Sequence, residues 1–479
     1  MREQSLYPLE PTRRVFVKGL GFVSAGLVLS TLGGCEALAE QIANRPVRRR
    51  LREGSSEIDD VLAVYADAVE AMRDLPTSNP RSWAAQYQIH GNATSFNHCQ
   101  HGTDHFFTWH RAYLAYFEKI CQEVTGDATF ALPYWNWNQD PTMHSGFTAA
   151  GSNLNHGRNS TSVSGSAFSD STFDTILGDS NFFTFSSQVE GSPHNTAHVF
   201  VGQDMVTGAS PNDPVFWAHH CMVDYVWYKW NVELENDNPS DAAWNEESWD
   251  HFVDGAGDPV EITAGATVLL PLLWYRYESS ALGGSPAVAE SMVLADSKRI
   301  ERRLEQGAPV SFDVRRRIRV ANDLELVPSR TFSVAARTTP ADFAALLENR
   351  PTEEQIFASL EYAERPASND FLVRVFVNRP DAGRGTPTSD PHFAGTFAFF
   401  GTSRGHADAG HGDHAQPRFL VNLTDTLRRL RSLGRLRTGD ELTFQLVAVP
   451  VGPTDRIETP SLRLSRAELL VTPVLVRGR

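Results

Sequence analysis

Between His101 and Thr125 the apolar residues Phe107, Leu114, Phe117, Ile120 and Val124 recur at helical spacing. That period predicts a helix over the second half of the segment, packed on a core. Upstream, "SEIDDVLAVYADAVEAMRDLP" predicts another helix, with Ser56 as its cap, Glu57, Asp59 and Asp60 in its first turn and Pro76 just past its end. A further long helical stretch runs from about Asp213 to Val232. After residue 280 the period changes. "FLVRVFVNRP", "HFAGTFAFFG", "ELTFQLVAVPVGP" and "AELLVTPVLV" are short β-branched or aromatic runs between turn residues, which predicts antiparallel strands. The expected fold is a mainly α domain over 58–280 and an antiparallel, sandwich-like β domain over 370–479, joined by a connecting segment over 281–369. The stretch over 36–57, which holds "NRPVRRRLREGSS", reads as a solvated polar lead-in.

At 479 residues the chain needs more than one core, and 41% hydrophobic with 10% aromatic residues gives a well-packed globular protein. A formal charge of -15 argues against nucleic acid as a partner, because phosphate binding needs a basic face. Four cysteines are too few for a disulfide scaffold of this size. The first 35 residues change the expected compartment. "TRRVFVKGLGFVSAGLVLSTLGGC" pairs Arg13 with Arg14 and then runs apolar to Gly34, too short to span a membrane comfortably. The segment resembles a twin-arginine (Tat) export signal, a route for proteins exported already folded, to the periplasm or beyond. "LGGC" ending at Cys35 also resembles a lipobox, so Cys35 is either a lipid anchor or a neighbour of a plain cleavage site.

Histidine carries the chemistry. His101 and His110 flank "GTDHFFTW", and "PHNTAHVFVGQDM" sets His194 and His198 four apart, one above the other on a helical face. "SPNDPVFWAHHCMVDYVW" adds His219 and His220, with Asp224 one turn beyond His220, and "YQIHGN" adds His90. Polar rings in a core need partners. Two sets of three imidazoles, with few cysteines and no local carboxylate cluster, favour copper, zinc, iron or nickel over calcium or magnesium. Three histidines per metal leave a position open for an exogenous ligand.

"HGTDHFFTWHRAYLAYFE" resembles the copper-A signature of the tyrosinase family, and "DPVFWAHHCMVD" its copper-B signature. The resemblance is firm over about 83–232. It is weaker toward the C-terminus, where "FLVRVFVNRP", "FAGTFAFFG" and "LRLSRAELLV" resemble the β domain of plant-type polyphenol oxidases. It implies a four-helix bundle holding two coppers, with His90, His101 and His110 on one and His194, His198 and His220 on the other. For the first ligand His98 is the rival of His90; the copper-B pattern selects His220 over His219, which is then structural. The implied activity is oxidation of phenols or o-diphenols to o-quinones with dioxygen as co-substrate, as in tyrosinase or catechol oxidase. A haemocyanin-like oxygen carrier and an o-aminophenol oxidase are the alternatives. In the family an Asn after the first copper-B histidine and an upstream Glu position a water that helps deprotonate a monophenol; here these are Asn195 and Glu190. Val199 follows His198 at the substrate entrance, and Asp224 is suited to orienting an imidazole or a neighbouring group. Cys99 lies two before His101, the spacing at which fungal members link cysteine sulfur to the imidazole. Cys121 and Cys221 read as buried thiols whose pairing is open, and His105 as a ring on the other face of its turn. Arg111 and Glu118, seven apart, read as packing the bundle through ion pairs. The resemblance further implies that the C-terminal domain lies over the copper site and inserts a side chain, with Phe397, Phe399 and Phe400 as candidates. A loop with His406, His411 and His414 reads as solvated.

Overall fold

The computed structural model describes residues 43–278, 316–326, 331–336, 354–402, 417–437, 442–451 and 461–473, with single positions at 282, 440 and 457. The export segment with Cys35 and the loop with His406, His411 and His414 lie outside the described residues. Among the described residues no helix is long and apolar enough to cross a membrane.

Helix α1 spans Ser56–Asp74 and buries Ile58, Leu62, Tyr65, Val69 and Met72, an i, i+4, i+7 stripe that faces the core. Ser55, not Ser56, holds the cap position, and its side chain makes no capping bond. Helix α2 is Trp83–His90, capped by the Ser82 side chain on the Ala85 N–H. Helix α3 is Phe106–Thr125 and stops at Gly126, whose φ of 72° is left-handed. Then come α4 (Asp170–Leu177), α5 (Phe182–Val189), α6 (Asn195–Val201) and α7 (Val215–Tyr228). Every residue of α7 is buried, so it has no solvent face and runs through the middle of the domain.

The lead-in is not solvated throughout, as had been expected. Val47–Arg48 pairs in parallel with Arg276–Tyr277, and Arg48 is fully buried. Its guanidinium meets Glu118 at 2.6 Å and Asp224 at 3.0 Å and lies 3.5 Å from the centre of the Tyr275 ring. Two carboxylates and an aromatic face replace the water that this cation loses. Arg111 and Glu118 do not pair with each other: Arg111 meets Asp224 at 2.5 Å, and Glu118 takes Arg48. The cluster ties the strands that enter and leave the helical domain to α3 and α7.

Among the described residues eight strands make the second domain: β1 (Arg316–Leu326), β2 (Phe332–Ala336), β3 (Glu354–Tyr362), β4 (Phe371–Val377), β5 (Phe393–Phe397), β6 (Arg418–Asn422), β7 (Leu442–Pro450) and β8 (Leu462–Pro473). They form two antiparallel four-stranded sheets, β5-β4-β7-β2 and β6-β3-β8-β1, with helix α8 (Thr424–Ser432) between β6 and β7. Val373, Val375 and Leu446 of one sheet meet Leu360, Leu464 and Leu469 of the other in one apolar cluster. The expected fold class holds, but the expected boundary at 370 is too late. Strands β1, β2 and β3 lie within the stretch read as a connection.

Candidate dinuclear metal centre

Six imidazoles converge from four helices and the loop before α3. His90 ends α2, His101 precedes α3, and His110 lies in the second turn of α3. His194 closes a widened, π-helical turn over Glu190–His194 that contains Pro193; His198 follows in α6 and His220 in α7. All six are buried, none more than 3% exposed. The rings of His101 and His110 are 4.9 Å apart, His110 and His220 stack at 4.4 Å, and His194 and His198 stand at 4.5 Å.

Four of the rings are anchored at Nδ1 by an oxygen acceptor. His90 donates to Gly208 O (2.8 Å), His110 to Phe106 O (2.7 Å), His198 to Met205 O (2.5 Å) and His194 to Asn195 Oδ1 (2.8 Å). The Asn195 amide is itself oriented, because its Nδ2 donates to Ala398 O at 2.8 Å. With the proton held at Nδ1, each Nε2 keeps its lone pair. Gly208 comes close enough to serve His90 only as glycine, since a Cβ there would sit 2.0 Å from Ser95 O.

This arrangement tests the fit of a metal. His194 Nε2 and His198 Nε2 lie 3.1 Å apart, both with lone pairs, and two lone pairs so placed repel unless a cation lies between them. His90 Nε2 and His101 Nε2 stand at the same 3.1 Å, while His110 Nε2 and both His220 nitrogens are buried without a hydrogen-bond partner. Burial, and secondarily the neighbouring imidazoles, push His101, His110, His198 and His220 well below the ordinary histidine range; burial brings His194 down to about 3. Neutral, dry, nitrogen-only donors suit a borderline metal such as copper.

The other residues singled out in the sequence fall as follows. His98 is exposed and stacks on His251 at 4.2 Å, away from the centre, whereas His90 is inside it. His105 caps α3 and stacks on Trp244 at 5.6 Å. Glu190 Oε1 accepts from the Gly102 N–H (2.7 Å) and lies 3.4 Å from His101 Nδ1; burial pushes its carboxyl up to about 8, against the pull of Gly102 and Arg365. Cys99 is buried in no disulfide, its sulfur within 4.8 Å of ring nitrogens of His90 and His101. Cys121 and Cys221 are buried, unpaired thiols. Asp224 bonds no imidazole: its oxygens are taken by Arg111, Arg48, Tyr275 and Tyr277. It thus acts on a neighbouring group, and against burial the two guanidiniums hold it below the usual carboxylate range. Val199 is covered, packed with Leu372 and Ala398 of the β domain.

Of the three candidate aromatics, Phe400 reaches the centre. Its ring stacks on His101 at 4.4 Å, stands 4.4 Å from His198 and 5.7 Å from His194, and touches Phe96 at 5.3 Å. Phe397 and Phe399 instead pack on Phe419 and Tyr362 inside the β domain. Arg365, which sequence reasoning missed, donates to Phe400 O and lies over the Phe96 ring. The backbone carbonyls that orient the histidines were also missed, since any residue supplies one.

The profile of the common central domain of tyrosinase matches residues 80–174 and 145–233. A tyrosinase of Streptomyces glaucescens is 32% identical over 187 residues, covering 30% of this chain and 68% of that protein. The chain belongs to the tyrosinase family. A tyrosinase of Hahella sp. (strain CCB-MM4) is 26% identical over 441 residues, 78% of this chain and 90% of that protein. Among solved structures, a recombinantly expressed latent aurone synthase (polyphenol oxidase) superposes with a TM-score of 0.65 at 20% identity, over 90% of each chain. A functional unit of octopus haemocyanin gives 0.53 at 17% identity, over 89% of this chain and all of that one. At these identities the structures speak for the fold, and both domains of this tyrosinase-family chain are included in it.

Proposed function

We infer that this protein is a copper-dependent oxidoreductase that oxidises phenols or o-diphenols to o-quinones with dioxygen. The carrying observation is the set of buried imidazoles, in which the Nε2 lone pairs of His194 and His198 face each other at 3.1 Å and His90 Nε2 lies 3.1 Å from His101 Nε2. His90, His101 and His110 would hold one copper, and His194, His198 and His220 the other. Bound copper supplies the redox chemistry with dioxygen. The chain's own residues bind and orient: Phe96 and Phe216 wall the imidazoles off from water, and carbonyls fix the rings. Metal analysis paired with assays on a monophenol and its diphenol, made after the β domain is opened, tests the reading; an opened chain that binds two coppers and turns over neither substrate overturns it. Oxygen carriage has one observation in its favour, because Phe400 occupies the place over His101 where a substrate ring would stack. Diphenol turnover after removal of that ring separates the two readings. An o-aminophenol oxidase is distinguished by substrate profiling. The twin-arginine segment supports export of the folded, copper-loaded protein, and Cys35 its anchoring; N-terminal sequencing and lipid labelling test both.

Hydroxylation of a monophenol requires a proton acceptor, since a bare phenol has a pKa near ~10. Glu190 lies beside His101, and Asn195 beside His194, so the two flank the centre. They are the residues we assign to water positioning. With the β domain seated, Asn195 Nδ2 is taken by Ala398 O, so the assignment is to be tested on the opened enzyme. There Glu190→Gln or Asn195→Ala is expected to lower monophenol kcat/KM about tenfold more than diphenol kcat/KM. Equal losses on both substrates remove the role.

The position of Cys99 beside His101 supports a covalent sulfur–imidazole link, in which the S–H and one ring C–H bond would give way to a C–S bond, a two-electron oxidation with dioxygen, the co-substrate, as the oxidant. Cys99 is buried, which closes the thiol to solvent reagents and also raises its pKa. Peptide mapping of the copper-loaded enzyme should find the Cys99–His101 peptide lighter by two hydrogens. A Cys99 that alkylates quantitatively after unfolding rules the link out.

A further inference from the structure

Four histidines crowd the second half of the centre, yet the family pattern needs three. Ring nitrogens of His194, His198, His219 and His220 all fall within 4.8 Å of one another, and all four residues are buried. His219 lies against two of the others, stacked on His194 at 5.2 Å and edge-on to His198 at 4.6 Å. Distance alone does not say why it should be left out.

The hydrogen bonds do. Trp137 Nε1 lies 3.0 Å from His219 Nδ1. An indole N–H can only donate, so Nδ1 must accept, and its lone pair is spent. A neutral imidazole then carries its one proton on Nε2, which is buried and has no hydrogen-bond partner. His194 and His198 are anchored the opposite way, donating from Nδ1 to Asn195 Oδ1 and Met205 O. Neighbouring rings thus differ in tautomer, and each tautomer is set by the partner at Nδ1. Trp137 is itself fully buried, its ring stacked on Phe173 at 6.1 Å, so the donor is held in place.

We propose that Trp137 is a positioning residue that withholds both nitrogens of His219 from the metal, so that copper bound by His194, His198 and His220 keeps an open position for its exogenous ligand. This rests on the reading of the centre as a copper site.

The test uses the full-length, copper-loaded protein. Trp137→Phe keeps an aromatic ring but removes the donor; the His219 proton can then move to Nδ1 and leave Nε2 free to bind. Copper release to a chelator is expected to be about tenfold slower than in wild type, with a shifted visible spectrum of the cupric form and lowered diphenol turnover. Trp137→Phe combined with His219→Gln should restore all three. A purely structural tryptophan predicts the reverse, faster copper release with no rescue, and either faster release or failed rescue overturns the proposal. Should Trp137→Phe not fold, His219→Gln alone decides: two coppers per chain are expected, and one copper would make His219 a ligand and overturn it. Wild-type protein with fewer than two coppers would instead sink the copper-site reading itself, which is measured first.

Discussion

Alanine at His110 or at His198 is expected to leave at most one firmly bound copper per chain and to lower diphenol turnover by at least about 100-fold. The size follows from what each ring contributes. Losing an outer partner of a metal ligand already costs about 10–100-fold in metal affinity or activity, and these variants remove the ligand itself. His198→Ala also takes the ring donor away from Met205 O, whereas Phe106 O behind His110 keeps its place in the helix ladder. Because the paired lone pairs repel without a cation, copper should also stabilise the fold, and chelation of the wild type should lower Tm. His98→Ala is the control: that ring is exposed, so both coppers should remain. Copper content by mass spectrometry, read beside turnover, checks the set. Full copper and full turnover in either His110→Ala or His198→Ala would sink the ligand assignment.

Much of this centre was legible because histidine spacing is a local property. His194 and His198 share a helical face, and His101 to His110 spans a loop and the start of one helix, so the chain alone puts them in reach. Between His90 and His98 the sequence offered no physical discriminator, because what separates them is the Gly208 carbonyl, more than a hundred residues away. The same holds for Trp137, an aromatic among aromatics until its N–H is seen on His219. Arg48 looked solvated because its partners Glu118 and Asp224 sit on helices far along the chain. The early strands of the β domain were hidden by their composition. "RRIRVANDLEL" of β1 is rich in charge, which is how edge strands are kept from pairing with other chains, and it blurs the alternation that marks a strand. Central strand β4 read plainly by contrast: "FLVRVFV" is buried at every position but Arg374.

The β domain is expected to hold the enzyme latent, and Phe400→Ala in the intact chain should raise diphenol kcat/KM about thirtyfold. The segment that carries Phe400 is fixed from three sides. The Ala398 N–H donates to Gly191 O at 2.9 Å, Ala398 O accepts from Asn195, and Arg365 holds Phe400 O. Gly401 lets the chain turn away with a φ of 76°, and a Cβ there would strike the Phe96 ring at 2.8 Å. Elsewhere the seam between the domains is looser: a cleft of about 710 Å³, lined by Thr172, Thr175, Asp390 and Thr396 among others, separates them. Burying a phenylalanine ring is worth about 2 kcal/mol, so its loss should raise a small open fraction by roughly thirtyfold and also empty the space over His101. Proteolysis within 279–315 should give a larger rise, since it frees the backbone clamp as well. A cut near 340 is the wrong test, because it would leave β1 and β2 behind and break both sheets of the domain. The inserted ring and the clamp separate by substrate. Phe400→Ala leaves Ala398 O on Asn195, so the variant should gain on diphenols more than on monophenols, while the cleaved enzyme gains on both. Unchanged diphenol kcat/KM in a soluble, copper-replete Phe400→Ala variant and in the cleaved enzyme would show that the domain docks on the centre without restraining it.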